Sequence, residues 1–311
     1  MQNSSGYVLQ GTLAEDGEEM DFPLVKDGTS TPWVKARAHQ YADFRSTPRE
    51  SMSENLMFFA LPSSSLITIG QREIPVPFIE DGSVKDVKRF KSLGYSLMTD
   101  GMCFVKIHPF TPYRIRGQYG ELYHSFEMLE TSDNYKKSHS MHFDPIYEDE
   151  RKGLAVEERG ERIITMPGVR IFPANCAYRL PGWIAGHFNG SPEFAFAFSE
   201  FNGPRKGEVL HSHTEIMEPY IGMSGTARLF VEIPEGDEIY MAQRHDGSQM
   251  QFKGTIFELG VNDVLLPMPG VAHRFLFDDK TVYPNTACAI NYASVGLEKV
   301  SEYDRVVLEG K

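Results

Sequence analysis

Residues 207–225 read GEVLHSHTEIMEPYIGMSG, and residues 262–275 read NDVLLPMPGVAHRF. His211 and His213 stand at positions i and i+2, which point to the same face of a β-strand. On a barrel strand that face can be the inner one, so both imidazoles present a nitrogen atom to a single point. The spacing therefore predicts two ligands of a metal site on one strand.

Two further ligand types follow in the same part of the chain. Glu218 comes after a bend, and its carboxylate can return from the following strand to the point that His213 faces. His273 follows the turn-forming sequence PMPG and must belong to a different strand. Three imidazoles and one carboxylate are a typical ligand set for a divalent transition metal. We therefore predict one metal site assembled from neighbouring strands.

The composition favours a mostly β chain. Its 311 residues are too many for one minimal domain and fit two domains, or one domain with large extensions. They include 27 Gly, 19 Pro and 12% aromatic residues, and short apolar runs recur between turn-forming residues. This pattern predicts a sandwich or closed barrel. The strongest helical pattern is short and lies at residues 81–93, where apolar residues recur every third position.

Charge and cysteine content exclude several classes of partner and site. The formal net charge of -12 opposes nonspecific attraction to nucleic acid or to anionic membranes, so we expect neither partner. The three cysteines are widely separated, which supports neither a disulfide framework nor a cysteine-based metal site. The N-terminus lacks the pattern of a secretory signal, and no run approaches the roughly 20 apolar residues of a membrane span. We expect a soluble, cytoplasmic protein.

A family resemblance rests on two spaced motifs. The pattern H-x-H-x4-E-x6-G from His211 to Gly225, followed by D-x5-P-G-x2-H from Asp263 to His273, resembles the two signature motifs of the cupin superfamily. Three features depart from the usual pattern: the glycine before the first motif falls at Gly207, nearer than usual, Asn262 stands where a glycine is usual, and the closing asparagine is absent. The resemblance implies β-barrels of the double-stranded β-helix, or jelly-roll, type with a few short helices. It also implies four metal ligands, namely His211, His213, Glu218 and His273.

A second carboxylate competes for the ligand position. Glu215 continues the strand face of His213, whereas Glu218 has the spacing to Gly225 that the motif requires. We therefore expect Glu218 to be the ligand and keep Glu215 as a candidate catalytic group.

Three more side chains are candidates for the pocket. Tyr220 follows Glu218 at i+2 and should share its inward face, either as a catalytic group or as a buried tyrosine with a satisfied hydroxyl. Arg228 and Asn291 are polar residues on otherwise apolar late strands, and we predict that they bind substrate.

The N-terminal half carries a weaker copy of the pattern. Residues 168–179 resemble a second-motif strand and turn, with Tyr178 where a ligand histidine would stand and Asn175 in place of the turn glycine. This makes the chain similar to a bicupin whose first barrel has lost its metal site, and it predicts one metal ion per chain. The predicted units are an N-terminal arm at residues 1–50, a degenerate cupin-like barrel at residues 51–188 and a metal-binding barrel at residues 189–311.

The leading hypothesis for function is an Fe(II)-dependent dioxygenase that acts on a small organic substrate. The same ligand set admits Mn, Ni, Cu or Zn. One alternative is a redox-neutral isomerase, lyase or decarboxylase in which Glu215 or Tyr220 moves the proton. Another is a non-catalytic binding or sensing protein that retains the barrel as a pocket. Barrels with exposed edge strands can pair, so a homodimer is compatible with the sequence.

Overall fold

The computed structural model describes a chain built from antiparallel β-strands. Among the described residues there is no helix, and hence none long and apolar enough to cross a membrane. The predicted all-β fold class is confirmed. The helix predicted at residues 81–93 and the degenerate motif residues Asn175 and Tyr178 lie outside the described residues. Those described are residues 2–3, 6–14, 19–26, 29–42, 50–62, 64–75, 102–129, 164–166, 169–173, 194–201, 209–244, 246–276, 278, 280–292 and 305–308.

The C-terminal half, joined by two strands from the chain start, forms an eleven-stranded system of antiparallel pairs. Its strands are β1 (Gln2–Asn3), β2 (Val8–Thr12), β13 (Phe194–Phe201), β14 (His211–His213), β15 (Tyr220–Glu232), β16 (Glu238–Gln243), β17 (Gln249–Leu259), β18 (Asp263–Pro267), β19 (His273–Leu276), β20 (Val282–Tyr292) and β21 (Arg305–Val307).

Strand β15 joins the two layers of this barrel. Its first half pairs with β18 and β20, and its second half pairs with β17 and β19. Two register shifts separate the halves, between Gly222 and Ser224 and between Ser224 and Thr226. Gly225 has a φ of 61°, a backbone conformation that favours glycine. The motif glycine therefore serves the bend that carries one strand from layer to layer, the arrangement of a jelly-roll barrel of cupin type.

The barrel interior is apolar and lies between these layers. Leu229 and Val231 from β15 are fully buried there with Val8 from β2, and Tyr220 and Phe275 pack beside them. Strand β2 belongs to this barrel because it pairs with β18 from Val8↔Pro267 to Thr12↔Asp263. The early segment thus closes an edge of the C-terminal barrel.

The N-terminal half contains a seven-stranded sheet in the order β11-β12-β8-β5-β10-β4-β3 and a three-stranded sheet in the order β7-β6-β9. Its strands are β3 (Met20–Lys26), β4 (Thr29–Gln40), β5 (Leu56–Pro62), β6 (Leu66–Ile69), β7 (Arg72–Pro75), β8 (Met102–Ile107), β9 (Tyr113–Arg116), β10 (Leu122–Met128), β11 (Ile164–Met166) and β12 (Val169–Pro173).

One continuous core joins the two halves. Phe58 and Phe126 from the seven-stranded sheet are buried in the same cluster as Ile221, Leu266 and Tyr292 from the C-terminal barrel. The alternating residues on the other face of β5 and β10 point into the N-terminal half instead. Since strands of the first 50 residues lie in both halves, they are integrated into the sheets; the unit boundaries at residues 50 and 188 stay a prediction.

Candidate metal centre

The three histidines meet because β14, β19 and β15 lie side by side. His211 is directly opposite His273 in the antiparallel pair β14–β19, and His273 is in turn opposite Val231 of β15. Paired residues share a face of the sheet, so both imidazoles point to the interior that Val231 lines. His213 lies two residues further on the same strand and reaches the same space.

Glu218 completes a compact and buried group. Its Oε2 atom lies 3.2 Å from Nε2 of His213, 3.4 Å from Nε2 of His273 and 4.0 Å from Nε2 of His211. One ligand atom from each of the four residues falls within 4.8 Å of the others, and all four side chains are buried. This buried group can hold a metal ion.

Backbone carbonyls orient two of the imidazoles. Nδ1 of His211 lies 2.9 Å from the carbonyl oxygen of Val209, and Nδ1 of His273 lies 2.9 Å from that of Val271. A carbonyl oxygen only accepts, so each Nδ1 must carry the proton and donate it. Nε2 of each ring therefore faces Glu218, and it can bind a metal ion once it has given up its proton. Metal-binding histidines are commonly oriented in this way.

The carboxylate of Glu218 is held ionised. Burial by itself would raise the pKa of this carboxyl. The positive charge and the hydrogen bonds of the adjacent His213 and His273 outweigh that effect and hold the pKa well below its usual range. Ionised oxygen and neutral imidazole nitrogen are the forms that bind a divalent cation. The donor chemistry therefore fits a metal ion.

Tyr220 supports the carboxylate from the start of β15. Its buried hydroxyl donates a hydrogen bond to Oε2 of Glu218 at 2.8 Å. Its ring packs edge-on against His273 and Phe275, with centroid distances of 5.7 Å and 5.0 Å. The side chain thus has the inward face that alternation predicts, and its hydroxyl is satisfied by Glu218. A catalytic role for Tyr220 stays a prediction.

Two of the other predicted site residues, Glu215 and Arg228, are not brought to this group. Glu215 is exposed at the bend and is not a member of the four-residue cluster. Arg228 lies on the opposite face of β15, where its guanidinium donates to Asp278 at 2.5 Å. The backbone of Asn291 pairs with Ala195 on β13, and its predicted contact with substrate stays a prediction.

Several supporting groups were not predicted from the sequence. They are the two backbone carbonyls, the bond from Tyr220 to Glu218, and the turn before β18. In that turn Asp263 accepts hydrogen bonds from Gly260 N and Thr12 Oγ1, both at 2.9 Å. Asn262 has a φ of 65°, which explains why a glycine is usual at its position. The departure of Asn262 from the motif was visible in the sequence, but its buried partner was not.

Fold and site together define a cupin-type β-barrel protein with a candidate metal centre in its C-terminal barrel. Neither a scan against protein-family models nor a search of curated proteins gives a match. Three solved structures illustrate what the chain is similar to.

The first is HEPD from Streptomyces albus, solved with 2-hydroxyethylphosphonate and Fe(II) bound, at 11% identity and a TM-score of 0.45, covering 97% of this chain and 81% of that one. The second is oxalate decarboxylase from Bacillus subtilis, solved with Mn(II) centres, at 12% identity and a TM-score of 0.48, covering 99% and 81%. The third is the vicilin of Solanum melongena, at 13% identity and a TM-score of 0.43, covering 89% and 76%. At these scores the likenesses assign no activity to this chain.

Proposed function

We propose that this chain is a metal-dependent enzyme that holds one divalent ion in its C-terminal barrel. The observation that carries the proposal is the convergence of three Nε2 atoms on the ionised oxygen of Glu218 in a buried site. Burial of four such polar groups without a bound cation would cost free energy, because each group loses its hydration. A cation among them offsets that cost. The proposed ligands are His211, His213, Glu218 and His273.

We further propose Fe(II) as the metal and dioxygenation of a small organic molecule as the reaction. A mixed imidazole and carboxylate set with open positions is suited to Fe(II), while Mn, Ni, Cu and Zn fit the same donors. The ion would supply dioxygen activation and orientation of the substrate. The protein supplies a preorganised set of lone pairs, with Tyr220 fixing the carboxylate and the rings of Tyr220 and Phe275 limiting water.

The redox-neutral alternative assigns proton transfer to Tyr220 or Glu215. The hydrogen bond from the Tyr220 hydroxyl to Glu218 supports the choice of Tyr220 for this role. Glu215 is exposed and has no such placement. Because the donor set favours a bound ion, a purely structural pocket for sensing is the weakest of the three hypotheses.

An experiment without knowledge of the substrate tests the proposal. The protein is loaded anaerobically with Fe(II) and exposed to nitric oxide, a stand-in for dioxygen, and the electron paramagnetic resonance spectrum is recorded. We expect an iron–nitrosyl signal near one equivalent per chain. The His211→Ala, His273→Ala double variant should lose both iron and signal, while Ser212→Ala, a buried neighbour between the two ligands of β14, should retain them.

Two outcomes test the metal centre and the dioxygen chemistry separately. Equal metal content in the wild-type protein and the double variant would refute the metal centre itself. Stoichiometric Fe(II) without a nitrosyl signal would refute dioxygen chemistry and favour the redox-neutral class. Once a substrate is known, turnover that proceeds unchanged without oxygen would lead to the same conclusion.

A further inference from the structure

The N-terminal half contains a cavity that is separate from the metal centre. Its volume is about 880 Å³, and all its lining residues lie between Lys35 and Glu127. The cavity is formed on the faces of β4, β5 and β10 that point away from the core shared with the C-terminal barrel, together with β9. A volume of this size is typical of sites that bind small molecules.

Cross-strand pairs give the cavity floor two different ends. At one end Lys35 of β4 stands directly opposite Glu127 of β10. At the other end His39 stands opposite Tyr123. The wall on the β5 side is apolar and includes Phe59. A ligand therefore meets charged groups at one end and an aromatic surface at the other.

The aromatic end is a stack of three rings. Tyr123 lies between His39 and Tyr41, with centroid distances of 4.6 Å and 4.5 Å and interplanar angles of 14° and 21°. Across the cavity Tyr113 packs edge-on against Phe59 at 5.3 Å. Such surfaces favour a planar ring, which gains offset or edge-on contacts beyond simple burial.

These aromatic groups are uncharged at neutral pH. Burial, and then the proximity of Arg37 and His124, lowers the pKa of His39 to about 4. Burial, with Tyr123 and Glu127 nearby, raises the pKa of Tyr113 to about 12, and burial also raises the pKa of Tyr123. The two tyrosine hydroxyls therefore remain hydrogen-bond donors, and within the described residues neither has a hydrogen-bond partner.

The cationic groups of the cavity already have counter-ions. Glu19 forms ion pairs with both Lys35 and Arg37, the former at 2.9 Å. Arg116 pairs with Glu73. A ligand carboxylate would have to displace these pairs, which costs desolvation without a net gain of charge compensation.

Glu127 is the group best placed to recognise a ligand. One of its oxygens, Oε1, accepts hydrogen bonds from Ser53 Oγ at 2.8 Å and Asn55 Nδ2 at 3.0 Å. These bonds fix the carboxylate, and its second oxygen remains as an acceptor. The only other carboxylate that lines the cavity within the described residues, Glu54, is exposed to solvent. An ionised acceptor in a part-buried site favours a ligand that donates a hydrogen bond.

We propose that this cavity is a second ligand site, independent of the metal centre, for an uncharged planar aromatic molecule that carries a hydroxyl group. The hydroxyl donates to Glu127, and the ring meets the edge of Tyr123, whose two faces are covered by His39 and Tyr41. Anionic aromatics are disfavoured because Glu127 would repel them and because the lysine and arginine side chains of the cavity already have carboxylate partners. Saturated rings are disfavoured because they lose the aromatic contacts.

Calorimetric titration with four matched compounds tests the ligand class. The expected ligand is 4-methylphenol, which cannot chelate a metal through two adjacent groups. For this small fragment we expect a Kd on the order of a millimolar. The comparison compounds are 4-methylanisole without the donor, 4-methylbenzoate with a charge, and 4-methylcyclohexanol without the aromatic ring. Each should bind about tenfold more weakly or not detectably.

Matched variants locate the site. Glu127→Gln removes the ionised acceptor at constant size, and Tyr123→Leu removes the central ring. Each should weaken 4-methylphenol binding by about tenfold, in line with the loss of one charge-assisted hydrogen bond or one aromatic contact. Glu258→Gln and Tyr119→Leu change the same residue types at exposed positions outside the cavity and should leave the Kd unchanged.

The His211→Ala, His273→Ala double variant tests whether 4-methylphenol binds at the metal centre instead. This variant should bind 4-methylphenol as tightly as the wild-type protein. Binding lost in this double variant but kept in Glu127→Gln would overturn the second site and assign the ligand to the metal centre. Equal affinity for 4-methylbenzoate and 4-methylphenol would overturn the proposed ligand class, and so would the absence of binding by all four probes.

Discussion

Nε2 of His124, on β10 in the N-terminal half, donates a hydrogen bond to Oδ1 of Asn262, in the turn before β18 of the C-terminal barrel, at 2.9 Å. Both side chains are buried where the two halves meet. Asn262 also has a left-handed backbone conformation. The asparagine that departs from the cupin motif thus combines a backbone requirement with a polar contact between the halves.

Substitutions at Asn262 should separate these two roles. Asn262→Gly keeps the backbone conformation but leaves the His124 donor unsatisfied, which we expect to cost about 1–3 kcal/mol of unfolding free energy. Asn262→Ala loses the bond and also strains the backbone, for about 1–2 kcal/mol more. Urea unfolding of the three proteins measures the order. If the Asn262→Ala protein were as stable as the Asn262→Gly protein, the positive φ at this position would not affect stability.

The choice of carboxylate is tested by Glu218→Gln beside Glu215→Gln. Removal of the charge from Glu218 should weaken metal binding by at least about tenfold, because it takes an ionised oxygen from the point where three imidazoles meet. Glu215→Gln should bind metal like the wild-type protein, since Glu215 is exposed outside the group. Competition with a chromogenic chelator measures both affinities. The reverse order would make Glu215 the ligand.

Tyr220→Phe should weaken metal binding without abolishing it. The substitution removes one hydrogen bond to Oε2 of Glu218 and leaves the four ligands in place. Loss of such a supporting bond typically reduces metal affinity by about 10- to 100-fold. The same chelator competition gives the affinity, and thermal unfolding of the metal-free protein checks that the fold is kept. Wild-type affinity in Tyr220→Phe would show that the hydroxyl has no positioning role.

Arg228→Gln should affect stability and leave the metal centre unchanged. The guanidinium lies on the face of β15 opposite to the histidines and is paired with Asp278. Its loss removes a charge-assisted bond to a partly exposed partner, and we expect a cost of about 1–3 kcal/mol. Denaturant unfolding and metal content provide the two readouts. Lower turnover at unchanged stability would instead support the substrate-binding role predicted from the sequence.

Stability should fall as the pH drops below about 6.5. The pKa values of His39 and His124 are lowered in the folded protein, that of His39 to about 4, so the unfolded chain binds more protons in this range. The stability contributed by a neutral His39 is fully present above pH 6.5 and is lost toward pH 4, by at most about 1.4 kcal/mol per pH unit.

His39→Gln removes this titration and serves as the comparison. Its unfolding free energy should depend less steeply on pH than that of the wild-type protein between pH 6.5 and pH 4. Identical slopes for the two proteins would mean that His39 titrates normally in the folded state.

Local spacing predicted the cluster because each short motif fixes which face of its own strand the side chains share. The i and i+2 spacing of His211 and His213 is sufficient to place both on one face. The position of Arg228 was beyond this reasoning. Simple alternation from Tyr220 would turn Arg228 inward, but the register shifts between Gly222 and Thr226 reverse the faces of the second half of β15.

By itself the sequence determined the all-β class and named the four residues that the structure brings together. Only the tertiary structure decided where Arg228 lies, what Asn262 binds, and that the N-terminal half holds a polar aromatic cavity. The physical reason is that these features depend on pairing between strands far apart in the chain, such as Lys35 with Glu127. Side-chain spacing encodes the face of one strand, whereas bulges and cross-strand register decide which faces meet.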